Sequence, residues 1–130
     1  MIEDRRKTYF IDIDGVLRDM VPQMVKLYNN EFGENLTVED IKDYDVEVSF
    51  QKAHAAYGSS SKWFFEKHAD YIFLLSKPIE GVVEAMKRLN HLGEVIIITM
   101  QHTTHNKVLA LKWLDYHQIQ YDKIFFVDSK

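Results

Sequence analysis

Six consecutive residues, Glu94-Val95-Ile96-Ile97-Ile98-Thr99, constrain this chain more than any other stretch. β-Branched side chains crowd the preceding turn of a helix but fit a pleated sheet. The centre of this run, Val95 to Ile98, is apolar at every position, not every second one, and so needs cover on both faces, as an interior strand of a parallel sheet has. Two other short segments share this character. Thr8-Tyr9-Phe10-Ile11-Asp12-Ile13-Asp14-Gly15 stops at Asp and Gly, and Lys123-Ile124-Phe125-Phe126-Val127-Asp128 lies near the end of the sequence. Both read as strands.

Between the strands the apolar residues recur at helical spacing. Met20, Val21, Met24, Val25, Leu27, Tyr28 and Phe32 predict a helix over 20–32, stopped by Gly33. Val82, Val83, Met86, Leu89 and Leu92 predict one over 78–92, with Pro78 near its first turn and Gly93 ending it. Val108, Leu111, Trp113 and Leu114 predict a third over 104–117. Thr37 with Asp40 three residues on predicts a short capped helix. Residues 43–56 have no clear period. Tyr57-Gly58-Ser59-Ser60-Ser61 reads as a loop, with Ser60 or Ser61 capping a helix that carries Trp63, Phe64, Phe65 and His68.

Strand, long helical insert, helix, strand, helix, strand is an α/β order. It predicts a Rossmann-like parallel sheet with helices on both faces. Residues 1–17 and 77–130 would form this core, and 18–76 a mostly helical insert after the first strand. No internal repeat or low-complexity stretch interrupts the pattern.

Ligands on such sheets sit beyond the carboxyl ends of the strands. Three ends therefore matter: Asp12 with Asp14, Thr99, and Asp128-Ser129-Lys130. Carboxylates two residues apart repel unless a cation neutralises them or one stays protonated. A cramped oxygen-rich site suits Mg²⁺, and Mg²⁺ beside a nucleophilic carboxylate suits phosphoryl transfer, because it screens the phosphate from the attacking anion. Gly15 would let the backbone turn away tightly. A plain Asp- and Gly-rich turn ending the strand accounts for the same residues equally well. An EF-hand loop does not, since the positions where it needs upstream ligands hold Tyr9, Phe10 and Ile11.

Composition removes several classes. Sixteen basic against 20 acidic residues leave a net charge of −4, which argues against a nucleic-acid binder. There is no cysteine, hence no disulfide framework, Cys-ligated zinc or Cys nucleophile. The longest apolar run near the start, Tyr9-Phe10-Ile11, falls short of the ~7–15 residues of a secretory signal, and no run reaches the ~20 of a membrane span. The expectation is a soluble, cytoplasmic protein.

Phe10-Ile11-Asp12-Ile13-Asp14-Gly15-Val16-Leu17 resembles the first motif of the haloacid dehalogenase-like phosphohydrolases, and within them the 5′(3′)-deoxyribonucleotidase branch. Lys77-Pro78-Ile79-Glu80-Gly81-Val82-Val83-Glu84-Ala85-Met86 is similar to the helix start before that branch's second motif. Ile96-Ile97-Ile98-Thr99 resembles the second motif, and Phe126-Val127-Asp128-Ser129-Lys130 the segment carrying the third motif's lysine.

The resemblance implies a Mg²⁺-dependent phosphatase, acting on (deoxy)nucleoside monophosphates through an aspartyl-phosphate. Asp12 would be the nucleophile and Asp14 the general acid and base. Thr99 and the backbone N–H of following residues such as Met100 would hold the phosphate, and Lys130 would neutralise charge. Mg²⁺ would be held by the Asp12 carboxylate and the Asp14 carbonyl. The insert would be a cap that closes over the substrate and selects it. The branch also carries a fourth, acidic motif on a strand neighbouring the first, and the given residues do not include it. That raises a second reading: a truncated or non-catalytic phosphate-binding module whose open sheet edge is covered by a second copy or another chain.

Among other residues, Trp63 is the aromatic best placed to stack a nucleobase, although core packing is the commoner role for such rings. Gln101 is placed to touch phosphate or cap. His102 and His105 read as a polar loop lining the pocket, since no third metal ligand accompanies them. Lys107 and Lys112 rival Lys130 for the charge-neutralising role. Glu3-Asp4-Arg5-Arg6-Lys7 reads as a solvated terminus.

Overall fold

The computed structural model describes residues 7–128. In chain order its elements are β1 (Lys7–Ile11), β2 (Arg18–Asp19), α1 (Val21–Phe32), a 3-10 turn (Val38–Asp40), α2 (Val46–Ser49), α3 (Gln51–Tyr57), α4 (Ser60–Lys62) running into a π-helical turn (Trp63–Lys67), α5 (Ala69–Leu75), β3 (Lys77–Pro78), α6 (Val82–Leu92), β4 (Gly93–Thr99), α7 (Thr104–Tyr116) and β5 (Lys123–Phe126). They fall into two compact units. One comprises the chain up to Asp19 together with Lys77 onward, and the other Met20–Ser76.

The first unit is built on a parallel sheet of order β1-β4-β5. Ile11 pairs with Ile97 and Thr99 with Phe126, so all three strands end along one edge. Alternation puts Tyr9, Ile11, Val95, Ile97, Ile124 and Phe126 on one face. These pack with Val82, Met86 and Leu89 of α6 and with Ala110, Trp113 and Leu114 of α7. Where helices on both faces are expected, α6 and α7 among the described residues both pack on this one face. The strand order advances in one direction, and successive right-handed crossovers in one direction lay their helices on the same side. On the opposite face Phe10 is 63% and Phe125 51% exposed.

Gly93 opens β4 and does not merely stop α6. A Cβ there would overlap the Lys7 carbonyl oxygen and come within 2.9 Å of the Tyr9 ring, so glycine lets β1 lie against β4. Pro78 belongs to no helix. It pairs with Arg18 in a short antiparallel ladder, and α6 begins only after Gly81, whose φ of +85° breaks the helical path. A residue without an N–H is tolerated at such a ladder's end.

In the second unit α1 ends at Gly33 in the left-handed region, its amide donating to Asn29 O. Asp40 Oδ2 accepts from the Thr37 amide at 2.8 Å, fixing the 3-10 turn. Residues 43–56, unresolved by periodicity, form α2 and α3, with the Asp45 carboxylate capping α2 through the Glu47 amide. Ser59, not Ser60 or Ser61, caps α4, accepting from the Lys62 amide at 3.1 Å. Ser60 is buried instead, its hydroxyl donating to Phe50 O at 2.7 Å. The core is aromatic: Tyr28, Phe50, Phe64 and Trp63 follow one another at centroid separations of 4.8–5.0 Å. No helix among the described residues is long and apolar enough to cross a membrane.

Candidate active site

After β1 the chain folds back within five residues. The Ile13 carbonyl accepts from the amides of Val16, Leu17 and Arg18, and Gly15 N–H donates to Arg18 O at 3.0 Å. Gly15 has φ +80°, a region that side chains with a Cβ rarely adopt. The buried Ile13 side chain anchors this turn in the core. The Ile79 amide then donates to Leu17 O at 2.8 Å, securing the outgoing chain beside β3.

The turn sets both aspartates. Asp12 Oδ1 accepts from the Ile13 amide at 2.7 Å. Asp14 Oδ1 accepts from Arg18 Nε at 2.7 Å, and Asp14 Oδ2 from Gln101 Nε2 at 3.1 Å. Arg18 is fully buried, with its guanidinium 5.3 Å from the centroid of the Trp113 ring. A charge so enclosed requires a partner, and the Asp14 carboxylate supplies one.

Gln101 Nε2 also donates to Thr99 Oγ1 at 3.0 Å. Thr99 is the last residue of β4 and is 1% exposed; Gln101 is 6% exposed. The Thr99 carbonyl accepts from the Val127 amide at 3.0 Å, which ties the end of β5 to the same edge. Asp14, 87 positions before Gln101, thus forms one hydrogen-bonded row with Gln101 and Thr99 past the strand ends. Half-buried Met100 lies between the last two in sequence.

Lys130 lies outside the described residues. Lys107 sits over the Phe126 ring, 5.9 Å from its centroid. His102 and His105 are exposed, and no group of three His, Asp or Glu side chains capable of holding a metal occurs among the described residues. Trp63 is 3% exposed, its ring enclosed by Phe32, Phe64 and His68. Its apolar area is buried inside the second unit. Gln101 is turned onto Asp14 and Thr99, its amide nitrogen donating to both. Arg18 was missed as a site residue. Its only sequence signal is a basic residue four positions after an acid, which on a helix would be an unremarkable surface pair.

The donors fit a magnesium ion in kind. Mg²⁺ prefers oxygen, retains several waters, and is usually held by one or two carboxylates together with substrate phosphate, not by an all-protein cage. Two aspartates on a tight turn, with the Asp14 carboxylate already engaged by Arg18 and Gln101, suit a site built on the Asp12 carboxylate and the Asp14 main chain.

Residues 6–130 match the family model described as "5' nucleotidase, deoxy (Pyrimidine), cytosolic type C protein". Over 123 residues the chain is 28% identical to "Putative nucleotidase BH1399" of Halalkalibacterium halodurans, covering 95% of this chain and 60% of that protein. It therefore spans well under two thirds of that relative's length. Among solved structures it is similar to a HAD-superfamily hydrolase of subfamily IA from Geobacter sulfurreducens, with a TM-score of 0.59 at 17% identity over 98% of this chain and 67% of that one. It is also similar to the magnesium-bound "putative HAD-hydrolase YfnB" of Bacillus subtilis, with a TM-score of 0.58 at 16% identity over 95% and 64%. The fold is that of the HAD hydrolases, and the chain belongs to the cytosolic type C 5′-nucleotidase family.

Proposed function

We propose that the protein hydrolyses phosphomonoesters, in particular (deoxy)nucleoside monophosphates, through a phosphoryl group carried on Asp12. The supporting observation is the hydrogen-bonded row from Asp14 through Gln101 to Thr99, which joins the acid-bearing turn after β1 to the end of β4. Asp12 attacks phosphorus as the bond to the ester oxygen breaks. Asp14 gives that oxygen a proton, then takes one from the water that cleaves the acyl phosphate. The Thr99 hydroxyl and the Met100 amide hold phosphoryl oxygens, and Lys130 neutralises their charge. Magnesium, when bound on Asp12 and the Asp14 carbonyl, supplies the charge screening that lets one anion approach another.

Residues 18–76 act as the cap in this reading. The relative's name and the family description support a nucleotide substrate, and the word "cytosolic" in that description supports a cytoplasmic setting. The unpaired side of β1 in the described sheet supports pairing with a further strand, from a second copy or from additional polypeptide. The test is release of inorganic phosphate from a panel of nucleoside monophosphates by the full-length protein, with and without Mg²⁺. Magnesium-dependent release that Asp12→Asn abolishes is expected. Hydrolysis unaffected by that substitution, or no hydrolysis of any phosphomonoester, would overturn the proposal.

A further inference from the structure

Arg18 and Gln101 belong to neither aspartate motif, yet both oxygens of the Asp14 carboxylate are engaged by them. We infer that these two side chains are positioning residues, holding the Asp14 carboxylate in the orientation from which it serves the ester oxygen. The inference rests on the function proposed above and concerns how this chain equips one of its groups.

Three observations carry it. Arg18 is fully buried, so holding its guanidinium at Asp14 costs little further side-chain freedom. Its approach is through Nε, from a backbone locked by the Gly15 turn and the β2–β3 ladder, with the Trp113 ring beneath. A guanidinium held on three sides is a rigid donor, and its geometry is not reproduced by an ammonium.

Gln101 approaches from the opposite side. The orientation of its amide follows from chemistry: the carbonyl oxygen turned toward a carboxylate would set acceptor against acceptor, so the NH₂ faces Asp14. The same NH₂ reaches Thr99 Oγ1. Since an amide NH₂ only donates, Thr99 accepts there, which leaves the hydroxyl hydrogen for an acceptor beyond Gln101. A phosphoryl oxygen is an acceptor of that kind. One buried amide thereby sets both a carboxylate for proton transfer and a hydroxyl for phosphate binding.

Leaving groups separate this role from a general contribution to folding. A nucleoside leaves as a poor leaving group that needs its oxygen protonated, whereas p-nitrophenolate leaves with little such help. In the full-length protein, Arg18→Lys and Arg18→Met are expected to lower kcat/KM on a nucleoside monophosphate about 10- to 100-fold, the scale of a misplaced catalytic group. Their kcat/KM on p-nitrophenyl phosphate, which reports phosphorylation of Asp12 and excludes the later water attack that Asp14 assists with either substrate, should fall less than about threefold. Lys is not expected to rescue. Gln101→Ala should show the same split and also raise KM severalfold through Thr99. Equal losses on the two substrates, rescue by Lys, or no loss would overturn the inference.

A second measurement does not depend on turnover. The Arg18 Nε–H resonance in ¹⁵N NMR spectra should be protected from exchange and should move in Asp14→Asn while the remaining amide spectrum is kept. An exposed or unmoved resonance overturns the inference. A wild-type protein that hydrolyses neither substrate but shows this resonance refutes the proposed function and leaves the side-chain clamp standing.

Discussion

Arg18 Nε lies 2.7 Å from Asp14 Oδ1, and the pair is enclosed from one side only: the arginine side chain is fully buried while that of Asp14 is 24% exposed. The charge thus has a carboxylate partner within the fold, and the carboxylate keeps an open side. That arrangement depends on a turn that carries the chain back on itself within five residues, from Ile13 to Arg18.

Two glycines, one past the ends of the strands and one at their start, should respond differently to substitution. Gly15 has φ +80° with open space around the position of a Cβ, so Gly15→Ala meets conformational strain alone. A loss of about 1–2 kcal/mol is expected. Gly93 has extended backbone but abuts the Lys7 carbonyl, so Gly93→Ala must push β1 from β4. Overpacking of this kind costs about 1–3 kcal/mol or more. Urea denaturation measures both. A Gly93→Ala protein as stable as wild type would mean that the two strands are not so closely apposed.

Trp63 should matter for stability and not for recognition. Trp63→Phe removes ring contacts with Phe32, Phe64 and His68 and is expected to lower the unfolding free energy by about 1–3 kcal/mol. KM for any nucleotide substrate should be unchanged. A KM rise of tenfold without loss of stability would return Trp63 to the role of a base-stacking residue.

The pH dependence of stability should carry a histidine component. Burial holds His117 below its ordinary value of 6.5, and burial, then the nearby Lys67 charge, does the same for His68. Each is more easily protonated in the unfolded chain, so folding releases protons near neutrality and stability rises with pH in that range. The contribution is present above the unfolded value of 6.5 and is lost as pH falls through the depressed folded values. Urea midpoints in mildly acidic and mildly alkaline buffer should differ in that sense, and His68→Gln with His117→Gln should shrink the difference. A midpoint difference unchanged in the double variant would contradict the assignment.

Phe10 and Phe125, both largely exposed, occupy the sheet face away from α6 and α7. Apolar patches of this kind drive association. The chain of residues 1–130 is expected to bind a hydrophobic-surface dye and to scatter light increasingly with concentration. Phe10→Thr with Phe125→Thr should weaken both signals. Dye binding that does not change would place the exposed apolar surface elsewhere.

Much of this was legible in the residues, for identifiable reasons. The unbroken β-branched run before Thr99 marked a strand because such side chains crowd a helix but fit a pleated sheet, and β4 pairs between β1 and β5. Gly33 marked the end of α1 because its left-handed conformation follows directly from lacking a Cβ. Asp12, Asp14 and Thr99 were legible as strand-end residues because parallel topology forces strand ends together. Pro78 was misread because the helical period of Val82, Val83, Met86 and Leu89 appeared to extend back to it. Only the positive φ of Gly81, a tertiary choice, breaks the helix there. Trp63 was singled out as a base-stacking candidate because it follows a Ser-rich loop, and part of what encloses it is Phe32, thirty-one residues upstream, a contact that local spacing does not show. Gln101 was legible as a residue near the strand end but not as the partner of Asp14, and Arg18 showed only an acid four positions before it, since each acquires its role from a turn or a strand end that brings atoms within hydrogen-bond reach.

The most direct measurement is the chemical state of Asp12 during turnover. The full-length protein would be incubated with Mg²⁺ and a nucleoside monophosphate in ¹⁸O-labelled water through many cycles, digested, and read by mass spectrometry. Water attacking an acyl phosphate at phosphorus leaves labelled phosphate and an unlabelled Asp12. Attack at the carboxyl carbon leaves the label on Asp12. Acid quenching with ³²P-labelled substrate identifies the covalent state itself. The expected result is ³²P on the peptide containing Asp12, labile to base and absent in Asp12→Asn, with the ¹⁸O in released phosphate. Rapid hydrolysis by wild type with no trapped label on that peptide, and equal hydrolysis by Asp12→Asn, would contradict the central claim.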